Sequence, residues 1–233
     1  RRGWRDYVIA RALRILPGLV GAVLVVALVL GAAMTRLPIG DYFASGQLWR
    51  FILQVLTTLK SAGALPGVFE ANPYPFAMGT VWTLKYEIYC YAGLALAGLA
   101  GLLTRRGIVL AALAAVFVAI MALDWLMPEA GKAVQTSLRL PFLFAAGSAL
   151  YLWRERVPLD WRIVAVLALV TALAAGTLAY KALLFLTEAY GVMVFALGPL
   201  SHRLPEPEAD LSYGIYLYGW PIQQAVFAAA PAM

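Results

Sequence analysis

Long apolar runs separated by short clusters of arginine constrain this chain more than any other feature. Residues 17–34, 82–103, 108–126, 138–153, 163–198 and 211–230 are dominated by Leu, Ala, Val and aromatic side chains. About 20 such residues cross a hydrocarbon core as an α-helix. Backbone N–H and C=O groups in lipid must be satisfied without water, which leaves helices or closed barrels. The period-two alternation of a barrel strand is absent. Composition agrees: 63% of the 233 residues are hydrophobic and 13% are charged, and the mean hydropathy is +0.81. Soluble domains carry about twice that share of charge. The expected fold is all-α, a polytopic transmembrane helical bundle with about seven to eight membrane segments, as one domain over residues 1–233.

The net charge of +6 does not point to nucleic acid. The arginines cluster between apolar runs, as the positive-inside rule expects, so the partner they imply is a bilayer. Residues 1–14 hold five arginines against one acid, Asp6. Residues 48–59 form a short run interrupted by Arg50 and Gln54, which suits a re-entrant or interfacial segment. If that run does not cross, the basic start, Arg105-Arg106 and the 154–162 cluster share one side. The charge rule favours this arrangement over eight full crossings. Residues 61–80 are rich in Gly and Pro, and Asn72-Pro73-Tyr74-Pro75 marks a rigid loop that reads as a lid over a site. Pro17 and Pro141 read as helix starts, and residues 163–198 as two spans with a tight turn near Lys181. Cys90 and His202 stand alone, so no metal site is expected. The absence of Met at position 1 and of a signal peptide suggests an interior piece of a longer protein.

Two stretches carry candidate chemistry. In Trp82-Thr83-Leu84-Lys85-Tyr86-Glu87-Ile88-Tyr89-Cys90-Tyr91, helical spacing puts Thr83, Glu87 and Tyr91 on one face and Trp82, Tyr86 and Tyr89 on its neighbour. The aromatics fit either an interfacial belt or the wall of a site. A belt has no use for Glu87, so its carboxylate favours the site reading. Glu188 is a weaker candidate of the same kind. In Leu211-Ser212-Tyr213-Gly214-Ile215-Tyr216-Leu217-Tyr218-Gly219, a stripe of Ser212, Tyr216, Gly219 and Gln223 suits either close helix packing or a hydrogen-bonding wall. Arg11 and Arg14, one turn apart, read from spacing alone as a topological anchor, with phosphate binding as the alternative.

Taken in order, Tyr7-x-x-x-Arg11-x-x-Arg14-Ile15-x-Pro17, Trp82-Thr83-Leu84-x-x-Glu87-x-x-x-Tyr91, Arg139 with Phe142-Leu143-Phe144-Ala145-Ala146-Gly147, and Leu211-Ser212-Tyr213-Gly214-Ile215-Tyr216-Leu217-Tyr218 resemble segments of the membrane-bound acyltransferase 3 family. The resemblance covers nearly the whole chain. It departs from the family at Lys85 and Tyr86, and it lacks two leading helices, one of which bears the family's catalytic histidine; His202 does not replace it. The resemblance implies an O-acyltransferase of the bacterial inner membrane, one that moves an acyl group, foremost acetyl, from cytoplasmic acyl-CoA to a hydroxyl of an exopolysaccharide or other envelope glycan. Acyl-CoA would be a donor substrate rather than a bound cofactor. Glu87 would be catalytic, orienting the acceptor hydroxyl or supporting the histidine. Trp82, Tyr86, Tyr213 and Tyr216 would bind the sugar, and Arg11 and Arg14 the donor phosphates. The stretch alone is expected not to turn over without the histidine helix. The alternative is a transporter or flippase subunit for a polar lipid-linked substrate, although such proteins are usually built from paired repeats that are not found here.

Overall fold

The computed structural model describes residues 3–61, 63–129, 131–198, 201 and 210–230, so the readings placed on His202 and on Arg1 lie outside the described residues. Among those residues every regular element is helical, as expected. Contacts divide the chain into two units: residues 1–88 with 207–233, and residues 89–206.

The first unit is built around one long helix. α1 (Trp4–Leu24) runs without interruption through a π-helical turn (Val25–Leu30) into α2 (Gly31–Met34), giving a continuous apolar helix from Trp4 to Met34. Pro17 lies inside it, not at its start. The segment before Pro17 consists mostly of good helix formers (Arg, Ala, Leu), and the Asp6 carboxylate accepts the Gly3 N–H at 3.0 Å. Pro17 then costs only the bond to the Leu13 carbonyl, which a membrane helix tolerates. The π turn has a visible cause. Tyr42, on the short α3 (Ile39–Ala44), is buried, and its hydroxyl donates to the Ala27 carbonyl at 2.5 Å. Gly31 leaves room for it, because a Cβ there would collide with the Tyr42 hydroxyl.

α4 (Gly46–Thr58) starts at Ser45, whose hydroxyl accepts the Gln47 N–H at 3.2 Å. It ends at Leu59, whose backbone is left-handed (φ 52°). Its 13 residues extend about 20 Å, less than the hydrocarbon thickness. One face, Leu48, Phe51, Ile52 and Val55, is buried against the core.

The segment 59–80 overturns the expectation of a lid. Leu65, Val68, Phe69, Ala77 and Met78 are buried and belong to the same core as Leu19, Val23 and Leu48. Irregular backbone can be buried only when its polar groups find partners. Thr35 donates its hydroxyl to the Pro66 carbonyl (2.8 Å), the Arg36 N–H bonds the Gly67 carbonyl (3.0 Å), and the Gln47 amide donates to the Ala64 carbonyl (2.9 Å). Gly67 has φ +69°, and a Cβ there would lie 2.8 Å from the Thr35 hydroxyl. The last element of this unit, α10 (Ser212–Ala229), packs on α1.

The second unit is a set of packed helices. α5 (Leu84–Leu99), whose first turn belongs to the first unit, stops short of the expected Leu103, and the chain turns at Gly101 (φ +70°). α6 (Arg106–Leu126) packs on α7 (Lys132–Leu152), α7 on α9 (Tyr180–Leu197), and α9 on α8 (Trp161–Leu173). The turn between α8 and α9 falls just before Lys181. Pro141 is interior to α7, which begins at Lys132, ahead of the expected 138. Pro141 sits one residue before Phe142, a fully buried ring that packs on Phe117 and Phe185. Asp124, in the last turn of α6, binds Lys181 at 2.7 Å.

Among the described residues, three helices are long and apolar enough to cross a membrane: Trp4–Met34, Arg106–Leu126 and Tyr180–Leu197. Only 6% of the apolar window of Arg106–Leu126 is buried in the protein. An apolar helix that packs along one seam and leaves the rest of its surface open is costly in water and at rest in lipid.

Candidate functional site

α10 positions the candidate residues. Its aromatic side chains meet the segment 72–83 in a regular antiparallel register. The Tyr216 hydroxyl donates to the Thr80 carbonyl, while the Thr83 hydroxyl, 2.5 Å away, can donate to the Tyr216 oxygen; the Thr80 hydroxyl returns a bond to the Tyr216 carbonyl at 3.2 Å. One turn on, the Trp220 indole N–H donates to the Phe76 carbonyl at 2.7 Å. A further turn on, the buried Asn72 amide donates to the Gln224 carbonyl (3.0 Å) and to its Oε1 (2.8 Å). Residues 216, 220 and 224 lie on one helix face and pair with 80, 76 and 72. Gly79 permits the contact, since a Cβ there would run into the Trp220 indole.

This register holds the start of α5 against α10. The 3-10 turn Val81–Thr83 leads directly into α5, which places Glu87 one turn beyond Thr83. The Glu87 carboxylate is half-buried and within electrostatic reach of the Tyr213 and Tyr216 phenols. Those two rings stack, with centroids 6.3 Å apart and planes 14° from parallel. The Tyr213 hydroxyl donates to the Ile15 carbonyl of α1 at 3.1 Å. Its ring occupies space left by Gly18, where a Cβ would lie 2.7 Å from it. Trp82 and Tyr86 meet edge to face at 6.1 Å, and the Lys85 ammonium sits 4.9 Å from the Tyr86 ring centre.

At the N-terminal end of α10 the Asp210 carboxylate accepts the Ser212 hydroxyl (2.5 Å) and the Ser212 N–H (3.0 Å). Both bonds favour the ionised form and hold this exposed carboxyl below the usual carboxylate range, with the nearby Arg14 guanidinium adding to the effect. Arg14 is exposed, and Arg11, half-buried, lies 5.4 Å from the Tyr7 ring centre. The structure thus gathers Arg14, Glu87, Tyr213 and Tyr216 around α10, with Trp82 and Tyr86 on the adjoining turns.

No protein-family model, curated protein or solved structure matches the chain.

The arrangement has a clear chemical division. Both phenols spend their hydrogens on backbone carbonyls and the Thr83 hydroxyl lies 2.5 Å from the Tyr216 oxygen, so what they can offer a ligand is the remaining oxygen lone pairs. Glu87 is the acid at the centre. Among the described residues no group of three His, Cys, Asp or Glu side chains is placed to hold a metal. The polar stripe expected on α10 is rotated: Ser212 and Gln223 are exposed, and the working face is Tyr213, Tyr216, Trp220 and Gln224. Asn72, Phe76, Thr80, Trp220 and Gln224 went unread as partners. The matching four-residue spacing in both segments was the available signal.

Proposed function

We propose that the chain is the membrane-embedded body of an O-acyltransferase, with seven to eight segments in a bacterial inner membrane. It transfers an acyl group, foremost acetyl, from cytoplasmic acyl-CoA to a hydroxyl of an exopolysaccharide or other envelope glycan. The observation that carries this reading is the grouping of Glu87 with the Tyr213–Tyr216 stack, one turn from Arg14 and Asp210.

In the reaction, the acceptor hydroxyl oxygen attacks the thioester carbonyl and the carbon–sulfur bond breaks. The hydroxyl proton passes to a base, and CoA leaves as the thiol. Glu87 takes the hydrogen bond of the acceptor hydroxyl, directly or through the histidine that the family resemblance implies. Trp82 and Tyr86 offer faces to a sugar ring, and Tyr213 and Tyr216 offer oxygen acceptors to its hydroxyls. Arg11 and Arg14, at the basic end of α1, contact donor phosphates.

The test is glycan O-acetylation in a strain deleted for the gene and complemented with the full reading frame, wild type or Glu87→Gln. Wild type restores acetylation, and Glu87→Gln lowers it by about 100-fold or more. Full acetylation in the Glu87→Gln strain removes Glu87 from the chemistry. Acetylation that persists in the deletion strain while glycan export fails favours the transport reading.

A further inference from the structure

Within the second unit, α6 packs on α7, and a groove separates this pair from α5. Two cavities, of about 460 and 410 Å³, share Leu94, Leu103, Phe144 and Ser148 as walls and so run into one another. Along α7 the groove reaches from Pro141 to Leu152, about 16 Å at 1.5 Å per residue. Small residues open it: at Gly93 of α5 and Gly147 of α7 an added Cβ would meet nothing within 4 Å. Ser148 makes no polar demand on the space, since its hydroxyl donates to the Phe144 carbonyl at 2.9 Å. Apolar walls of this kind hold water poorly.

One end of the groove lies at helix ends. Tyr151 and Leu152 close α7, Leu103 sits in the turn between α5 and α6, and Ile108 opens α6, a helix long enough to span a bilayer. That end therefore stands at headgroup level, and the groove runs from it for about the 15 Å of one leaflet's hydrocarbon. The chain beside this mouth carries Arg105, Arg106, Arg154 and Arg156 against one acid, Glu155, and all five are exposed. Among the described residues the ion pairs, Arg139–Glu188 and Lys181–Asp124, use none of them. Arg154 is fixed at the lip: its guanidinium carbon lies 4.6 Å from the centre of the Tyr151 ring, and its Nη1 donates to the Tyr151 carbonyl at 3.1 Å.

We propose that this groove seats one acyl chain of an anionic phospholipid, drawn from the leaflet on the arginine-rich side, with the phosphate held among Arg105, Arg106 and Arg154. Charge complementarity selects this occupant. A zwitterionic headgroup would bring its ammonium to a rim that already has an excess of positive charge, and an anionic one would not. The site rests on the membrane reading of α6 and is independent of acyl transfer.

The full chain is reconstituted in nanodiscs of equal phosphatidylglycerol and phosphatidylethanolamine, and the lipid that stays bound is counted by native mass spectrometry. Phosphatidylglycerol is expected to be retained about tenfold over phosphatidylethanolamine, and Arg105→Gln combined with Arg154→Gln, both at exposed positions, to remove that preference. Gly147→Leu and, separately, Gly93→Leu fill the groove from α7 and from α5. Each is expected to lower the retention of phosphatidylglycerol about tenfold, while the melting temperature in lipid-free detergent is kept. Equal retention of the two lipids by the wild type, a preference that survives the double arginine variant, or undiminished retention by both filled variants overturns the proposal. Replacement of phosphatidylglycerol by palmitoyl-CoA added at equal concentration also overturns it and assigns the groove to the chain of an acyl donor.

Discussion

A phenol that donates to a buried carbonyl is a structural tie before it is a ligand. Tyr216 shows this: its hydrogen goes to Thr80 and its oxygen faces Thr83. Tyr216→Phe removes one donor from the Thr80 carbonyl, which keeps the Thr83 N–H at 3.2 Å, and is expected to cost about 0.5–1.5 kcal/mol, read as a fall in melting temperature in detergent. Acetylation falls less than with Glu87→Gln. Asp210 gives a pH test. Its folded pKa is lowered, so its contribution is complete above the unfolded value of about 3.9 and disappears as pH falls through the lowered folded value. The melting temperature of the wild type is expected to drop more steeply below about pH 4 than that of Asp210→Asn; parallel curves refute this. Glu87 stands out in the sequence because an acid among apolar residues needs a reason. The partners of Tyr213 and Tyr216 do not, because they are backbone carbonyls, which every residue carries.

At the scale of elements, the sequence marks helices well and misjudges what joins them. Period and apolar length gave α6, α9 and α10 to within a few residues. Pro17 and Pro141 were read as starts because proline favours a first turn, yet each lies within a helix, at the cost of one backbone bond that a membrane helix tolerates. Residues 61–80 were read as a lid over a site because Gly and Pro signal turns. Turn chemistry says nothing about burial, and here Leu65, Val68 and Met78 fill the core. The π turn in the first helix has no local signature, since Tyr42, from a different helix, accompanies it. Gly31→Ala is expected to destabilise the protein by about 1–3 kcal/mol through overpacking. In the Tyr42→Phe background, where the colliding oxygen is gone, the same change should cost less. A double-mutant cycle by thermal melting measures the difference, and additive costs refute the wedge.

At the scale of the molecule, composition pointed to a membrane, and among the described residues three helices are long and apolar enough to cross one. The arginine bias, with α4 too short to cross, predicts the side on which each loop emerges. In a Cys90→Ala background, single cysteines at positions 36, 105 and 156 test the topology with a membrane-impermeant maleimide. Positions 105 and 156 are expected to label only after the cytoplasmic face is opened, and 36 from outside; labelling of 105 from outside means that α4 crosses. The register between residues 72–80 and 216–224 also has a consequence in time. The Asn72 amide lies 152 residues ahead of its Gln224 partner, a lag of about 8–30 s at ordinary translation rates. During that interval a nascent chain holds a half-finished core with its polar backbone exposed. Biogenesis of the first unit therefore waits for its final helix, and a ribosome that stalls before residue 212 leaves a product fit for degradation rather than for use.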